Sequence, residues 1–327
     1  VADTNGYVRD TNDVRVTAAA AVAVGECWQM KDGRAAIYAD TQAAQAGDRT
    51  RWKANGQVAF TKAAGFVGLD GNRAYWDHSE NKVSWRKQSD RDFYLGRFVG
   101  DSVSAATECV INLNVDPRPD IDLLRDGFQS VLVGTPAAGG FGYPVSLGGS
   151  LVFELSATSE AQKVDALGVD GFAKGSNAIV EIVFRVLNDG AAGGQDISLG
   201  VANATHASDA DAIADSVFVH LNGGDVNVYV ESDDGTTEVA ATDSATDYTE
   251  GSDLASRMEA WFDFRDPADV QVYLNGSNVL PNSVFNVDAF AGTWFPLIHV
   301  EKASGTDVYK IAIDRFTVRF SEQNGSA

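Results

Sequence analysis

The densest set of reactive side chains in this 327-residue chain is AYWDHSENKVSWRKQ, residues 74–88, which holds two Trp, a Tyr, a His, two acids and three bases. Such a run would make an acid–base or metal centre if its polar groups converged, and a nucleic-acid surface if its bases formed a stripe. The order of residues favours neither. Tyr75 and Trp76 end one strand-like run, DHSEN is a polar connection, and KVSW opens another run with Val83 and Trp85 on one face. The expectation is an amphipathic hairpin with Asp77, His78 and Glu80 in a water-facing turn. Arg86, Lys87, Arg91 and Arg97 are offset by Asp90, Asp92 and Asp101, so no stripe for phosphates arises.

The other candidates are weaker still. A nucleophilic triad would need a Ser or Cys in a motif such as GxSxG, and phosphate chemistry a GxGxxG or GxxxxGK, and the chain has none of these. His220 and His299 lie in strand-like runs and read as satisfied sheet positions. Asp209, Asp211 and Asp215 crowd ATHASDADAIADS, but without the glycine and closing Glu of an EF-hand loop they read as a solvated acidic loop rather than a calcium site. In EAWFDF, Glu259 and Asp263 share one face of a strand at a spacing too long for a retaining glycosidase pair, and read as a charged outward face. Cys27 and Cys109 sit among β-prone residues without a CxxC, as buried thiols do. The expectation from residues alone is no catalytic, metal or cofactor-binding residue, and no enzyme.

The elements that must position these residues are strands. Glycine is abundant at 32 while proline is 7, and short Val-, Thr-, Phe- and Tyr-rich runs are broken by Gly, Asn and Asp, an all-β pattern. VRVT and VAFT alternate in the first half. AIVEIVFRVL reads as a central strand of the second half, and VQVYLNG as a strand closing on an Asn-Gly hairpin turn. DPRPD after ECVINLNV breaks the sheet pattern, and 116–150 reads as a connecting segment with a short helix at PDIDLLRDGF. The expected layout is therefore a domain over 1–115, a linker over 116–150 and a second domain over 151–327.

Charge divides the chain at the same place. Residues 1–115 hold 14 Lys/Arg and 14 Asp/Glu, so the whole formal charge of −21 falls after residue 115. A surface that acidic repels DNA and RNA. No apolar run is long enough to span a bilayer, and the start, VADTNGYVRD, lacks a secretory-signal layout, so no membrane partner and synthesis in the cytoplasm are expected.

VTAAAAVAVGECW, then GRAAIYADTQAAQAGDRTRWKANGQVAFTKA, AYWDHSENKVSW and FYLGRFVGDSVSAATECVINLN form an ordered series of strands and Gly-acid turns. In that order residues 1–115 resemble a family of tailed-phage capsid cement, or decoration, proteins. The resemblance implies a small β-barrel or β-tulip-like domain that trimerises and grips the outside of a phage head. VQVYLNGSNVL and IAIDRFTVRF resemble the hairpin and closing strand of the concanavalin A-like jelly-roll sandwich, a fold that serves lectins, adhesion modules and glucanases. The function expected on these resemblances is a structural virion protein on the outer capsid surface. Its partners would be the major capsid protein, its own copies as a homotrimer, and a host-surface or environmental glycan at the acidic domain. Tyr7, Arg9, Trp76, Trp85 and Arg86 are the candidate capsid or subunit contacts. The alternative is a secreted or cell-surface acidic lectin.

Overall fold

The computed structural model describes residues 13–116, 119–144, 147–190, 195–206 and 209–321. The chain divides into two compact units, Val1–Pro117 and Arg118–Ala327. Both are built almost wholly of antiparallel strands, as the alternation and turn residues predict.

The first unit holds a four-stranded and a five-stranded sheet. The four-stranded sheet runs β1-β4-β3-β2, with β1 Asp13–Thr17, β2 Cys27–Gln29, β3 Ala35–Tyr38 and β4 Arg49–Lys53. The five-stranded sheet runs β5-β9-β8-β6-β7, with β5 Gln57–Thr61, β6 Arg73–Asp77, β7 Lys82–Ser84, β8 Phe93–Phe98 and β9 Glu108–Leu113. The expected barrel does not close among the described residues: β4 and β5 are adjacent in sequence but join different sheets, turning at Gly56, whose φ is +86°. Asn114 ties the sheets together. Its Nδ2 donates to the carbonyls of Ala35 and Ala54, and its Oδ1 accepts from the Ala35 amide at 2.8 Å. Gly96 in β8 is required by contact, since a Cβ there would lie 2.0 Å from the Asn112 carbonyl oxygen.

Two eight-stranded sheets make up the second unit. The first runs β12-β13-β25-β16-β21-β22-β23, from β12 Phe141–Gly142, β13 Leu151–Glu154, β25 Lys310–Phe320, β16 Ala178–Asn188, β21 Met258–Asp263, β22 Gln271–Leu274 and β23 Ser277–Val279, with β10 Ile121–Asp122 also on β25. The second runs β11-β14-β24-β17-β18-β19-β20, from β11 Phe128–Val133, β14 Gln162–Gly168, β24 Thr293–Lys302, β17 Gln195–Ala202, β18 Asp215–Asn222, β19 Asn227–Asp234 and β20 Glu238–Asp247, with β15 Phe172–Ala173 also on β24. One apolar core draws on both sheets: Val180, Ile182 and Phe184 of β16 and Phe262 of β21 belong to it together with Ile197, Leu199 and Val201 of β17 and Val217 and Val219 of β18. This is the face-to-face sandwich expected for residues 151–327, with β16 central as its high apolar content predicts. VQVYLNG closes as read, with Asn275 and Gly276 at φ +51° and +78° between β22 and β23.

The segment read as a linker is largely part of this sandwich. Its Phe128 and Phe141 pack on Phe153 with ring centroids 6.5 and 6.1 Å away, and β11 hydrogen-bonds along β14. The helix expected at PDIDLLRDGF is the single turn Leu123–Asp126, capped by the Asp122 side chain.

Candidate functional site

The opening hairpin forms as expected, with Glu80 exposed as read, but Asp77 does not face water. Asp77 is 4% exposed and accepts from the amides of Ser79 and Glu80 at 2.8 and 3.1 Å, and Asp92 accepts from the amides of His78, Gln88 and Ser89. Burial acts to raise the Asp92 carboxyl, and these hydrogen bonds outweigh it and hold the group below its ordinary range. The turn is thus organised by buried carboxylates. Trp76 lies in the unit's own core at 5% exposure, and Trp85 packs partly against that core with the Arg86 guanidinium 4.6 Å over its ring. As a contact for another subunit, Trp76 is therefore corrected by its burial, while Trp85 and Arg86 keep surface. Tyr7 and Arg9 lie outside the described residues. Cys27 and Cys109 are free and buried in the same core, and burial pushes both thiols up, Cys109 to about 12.

Two polar clusters appear in the sandwich, each on the face of a sheet turned away from the shared core. On the first sheet, Glu181 of β16 and Glu259 of β21 are diagonal neighbours, since Glu181 pairs with Trp261 and Val183 with Glu259. Both are buried, at 1% and 6% exposure. Arg315 Nη1 donates to Glu181 at 2.6 Å, and Trp261 Nε1 donates to Glu259 at 2.8 Å. Burial, then the charge of Glu181, pushes the Glu259 carboxyl up to about 8, so at neutral pH the two carboxyls share a proton. The face expected to be solvated is thus a closed polar layer, in which Asp263 is held by Arg265 at 2.6 Å. A protonated and an ionised carboxyl side by side is also the pairing that general acid–base chemistry uses.

The second sheet carries the richer cluster. Along β14, β24, β17, β18 and β19 the core-facing residues alternate with Lys163 and Asp165, His299 and Glu301, Asp196 and Ser198, His220 and Asn222, and Tyr229 and Glu231. The register sets Asp165, His299, Ser198, His220 and Tyr229 in one row and Lys163, Glu301, Asp196 and Asn222 in the next. His299 Nδ1 lies 2.6 Å from Asp165 Oδ1, and its Nε2 lies 3.1 Å from Glu301 Oε2 in an orientation that makes an ion pair but no hydrogen bond. Burial acts to lower this imidazole, and the two carboxylates outweigh it and raise it to about 9. Lys163 holds Asp165 from the other side at 3.1 Å and donates to the His206 carbonyl, tying down the loop that follows β17.

His220 collects the remaining acids. Its Nδ1 is 3.1 Å from Glu231 Oε1 and 3.6 Å from Asp211 Oδ1, and its Nε2 is 3.0 Å from Asn222 Oδ1 and 3.2 Å from Asp196 Oδ1. Burial opposes protonation of this imidazole, but Asp211 and Glu231 lead the acids that raise it to about 11, whereas burial lifts the Asp196 carboxyl to about 7. Asp211 thus leaves the company in which the sequence places it. Asp209 accepts from the Asp211 amide, and Asp215 takes the Asn203 amide group. Asp211 and Glu231 also line an open pocket with Ser216, Ser232, Asp233, Glu238, Val239, Ala240 and Ala241.

No protein-family model matches the chain, and no curated protein matches it. Solved structures similar to it include the carbohydrate recognition domain of Emp47p, at 11% identity over 61% of this chain and 93% of that one with a TM-score of 0.42. The catalytic domain of an endo-1,3-beta-glucanase (laminarinase) from Thermotoga petrophila RKU-1 is similar at 16% identity over 54% and 79%, with a TM-score of 0.37. Alginate lyase AlyC3 is similar at 8% identity over 55% and 78%, with a TM-score of 0.39. The expectation that the chain is no enzyme is corrected to this extent: the similar structures include catalytic domains as well as a carbohydrate recognition domain.

Proposed function

We propose that the second unit is a carbohydrate-binding module whose binding site is the acidic pocket between the loop after β17 and strands β19 and β20. The observation that carries this reading is the pocket lining. Asp211, Glu231, Asp233 and Glu238 offer acceptors for sugar hydroxyls, and Val239, Ala240 and Ala241 offer an apolar wall for ring C–H groups. Four carboxylates repel phosphates and uronates, so the ligand class is a neutral or amine-bearing sugar. The test is a glycan array on the intact chain followed by D233N and E238Q. Binding to neutral or amino sugars that weakens about tenfold or more in each variant supports the reading, since each removes a charged acceptor. Binding to anionic glycans only, or binding indifferent to both variants, rejects it.

For the first unit we propose attachment to a phage capsid as a decoration protein. Its series of strands and turns, its balanced charge and the exposed Val99, Val103 and Val110 support a protein-facing role. Mass measurement in solution and co-sedimentation with expanded capsids test this. A trimer that binds the shell agrees with it, and a monomer that stays in the supernatant removes it.

A further inference from the structure

From Gly127 to Phe153 the chain holds no Asp, Glu, Lys, Arg or His, within the part that carries the whole formal charge of −21. This stretch forms β11 and β12, which are edge strands of the two sheets of the sandwich. An open edge offers a row of unpaired N–H and C=O groups, and proteins ordinarily blunt it by shortness, charge or a bulge. The other edges of the sandwich are blunted in these ways. β12 and β23 have two and three residues, and β20 carries Glu238, Asp243 and Asp247 in a register on β19 that shifts twice.

β11 has no such device. Bracketed by Gly127 at φ +99° and Gly134 at φ +70°, FQSVLV pairs with β14 in unbroken register and holds neither charge nor proline. Val131, Leu132 and Val133 are 38%, 44% and 38% exposed. The Val169 amide donates to the Gly127 carbonyl, which makes 127 and 169 a hydrogen-bonded pair and turns the odd-numbered residues of β11 toward β14. The N–H and C=O groups of Phe128, Ser130 and Leu132 therefore point to the free edge, and among the described residues no strand or turn pairs with them.

We propose that β11 is the contact between two copies of this chain, paired antiparallel about a two-fold axis at Ser130. In that register Ser130 meets its own equivalent and Phe128 lies opposite Leu132 of the partner subunit, so the three outward positions form about six inter-chain hydrogen bonds. Charge selects a second copy as the occupant. Two bodies this acidic repel over most of their surface, and the uncharged stretch is where they can approach each other. The pairing also stops at two, because the edge then left at either end is the charged, irregular β20.

The axis stands perpendicular to the sheet, and β11 and β20 are its opposite edges. The two acidic pockets would thus lie on one face of the joined sheet, about twelve strand spacings or roughly 60 Å apart, and could hold one multivalent surface together. That two-pocket display rests on the sugar-binding reading, whereas the pairing of β11 does not. An edge about 20 Å long is a small interface, so the pairing should dissociate on dilution in the micromolar range.

The experiment is sedimentation of the full chain across a dilution series, with S130P, V131K and two cysteine variants. S130P removes an N–H that pairs with no strand of its own chain, and V131K puts a charge on an exposed position, so circular dichroism should show both folded. The expected result is a twofold rise in mass with concentration that is lost in S130P and V131K, whatever assembly the first unit forms. On mild oxidation S130C should cross-link chain to chain, since opposed residues of a hydrogen-bonded pair stand about 5.5 Å apart at Cα. V133C, away from the axis, should not. A mass that does not double, a doubling that survives both S130P and V131K, or cross-linking by V133C in preference to S130C would each overturn the proposal.

Discussion

Replacing Glu259 by Gln isolates the proton shared by the buried carboxyl pair. Glu259 is raised from an ordinary 4.5 to about 8 by burial and by Glu181. A carboxyl whose folded value is raised ionises first in the unfolded chain, so its contribution to stability falls as pH rises from 4.5 through 8. Each pH unit in that window costs about 1.4 kcal/mol, so at pH 7 holding the proton costs on the order of 3 kcal/mol. Gln keeps an acceptor for Trp261 Nε1 and presents an amide donor to Glu181 in place of the proton, but carries no charge to suppress. E259Q should therefore match the wild type at pH 4 and exceed it by up to about 3 kcal/mol at pH 7, read as the difference in urea unfolding free energy at the two pH values. E181Q, which also removes the partner of Arg315, should destabilise at both. A stability difference for E259Q that is the same at pH 4 and pH 7, or that becomes unfavourable at pH 7, would refute the shared proton.

Three further outcomes follow from the geometry. W76A should cost the first unit about 3–5 kcal/mol by urea unfolding, because the indole is core, whereas R86A should change stability by less than about 1 kcal/mol. N114A should cost about 2–4 kcal/mol by removing a side chain that bridges both sheets and leaving buried backbone groups unmet, and unchanged stability would show that the bridge contributes nothing. His299, raised to about 9 between Asp165 and Glu301, stabilises the fold fully below about pH 6.5 and loses that contribution as pH rises through 9. Its ring should accordingly be doubly protonated at pH 8 by ¹⁵N NMR, and a transition near 6.5 would contradict the pairing.

Much of the fold was legible because strand signals are local. Alternation in VQVYLNG and the apolar run of AIVEIVFRVL each settle a strand within ten residues, and the Asn-Gly pair settles its turn. FQSVLV was misread for the same reason: flanked by Gly and Pro, it looks like a connection, and its strand character comes from pairing with β14 about 35 residues away. The clusters left a fainter mark. KVD, DIS, HLN, YVE and HVE each set two polar residues around an apolar one, and five such triplets at period two predict a polar outer face on neighbouring strands. Read singly, each resembles an ordinary solvated strand.

The sequence by itself determined the all-β class, the central strand, the hairpin turns and the division between a neutral and an acidic region, since these depend on side-chain period and on charge, which add up along the chain. Only the tertiary structure decided that Glu181 meets Glu259, and that His220 gathers Asp196, Asp211 and Glu231. Those meetings are set by register between strands, a pairing chosen by the burial of the opposite, apolar face, so nothing in the polar residues themselves announces which of them will be neighbours.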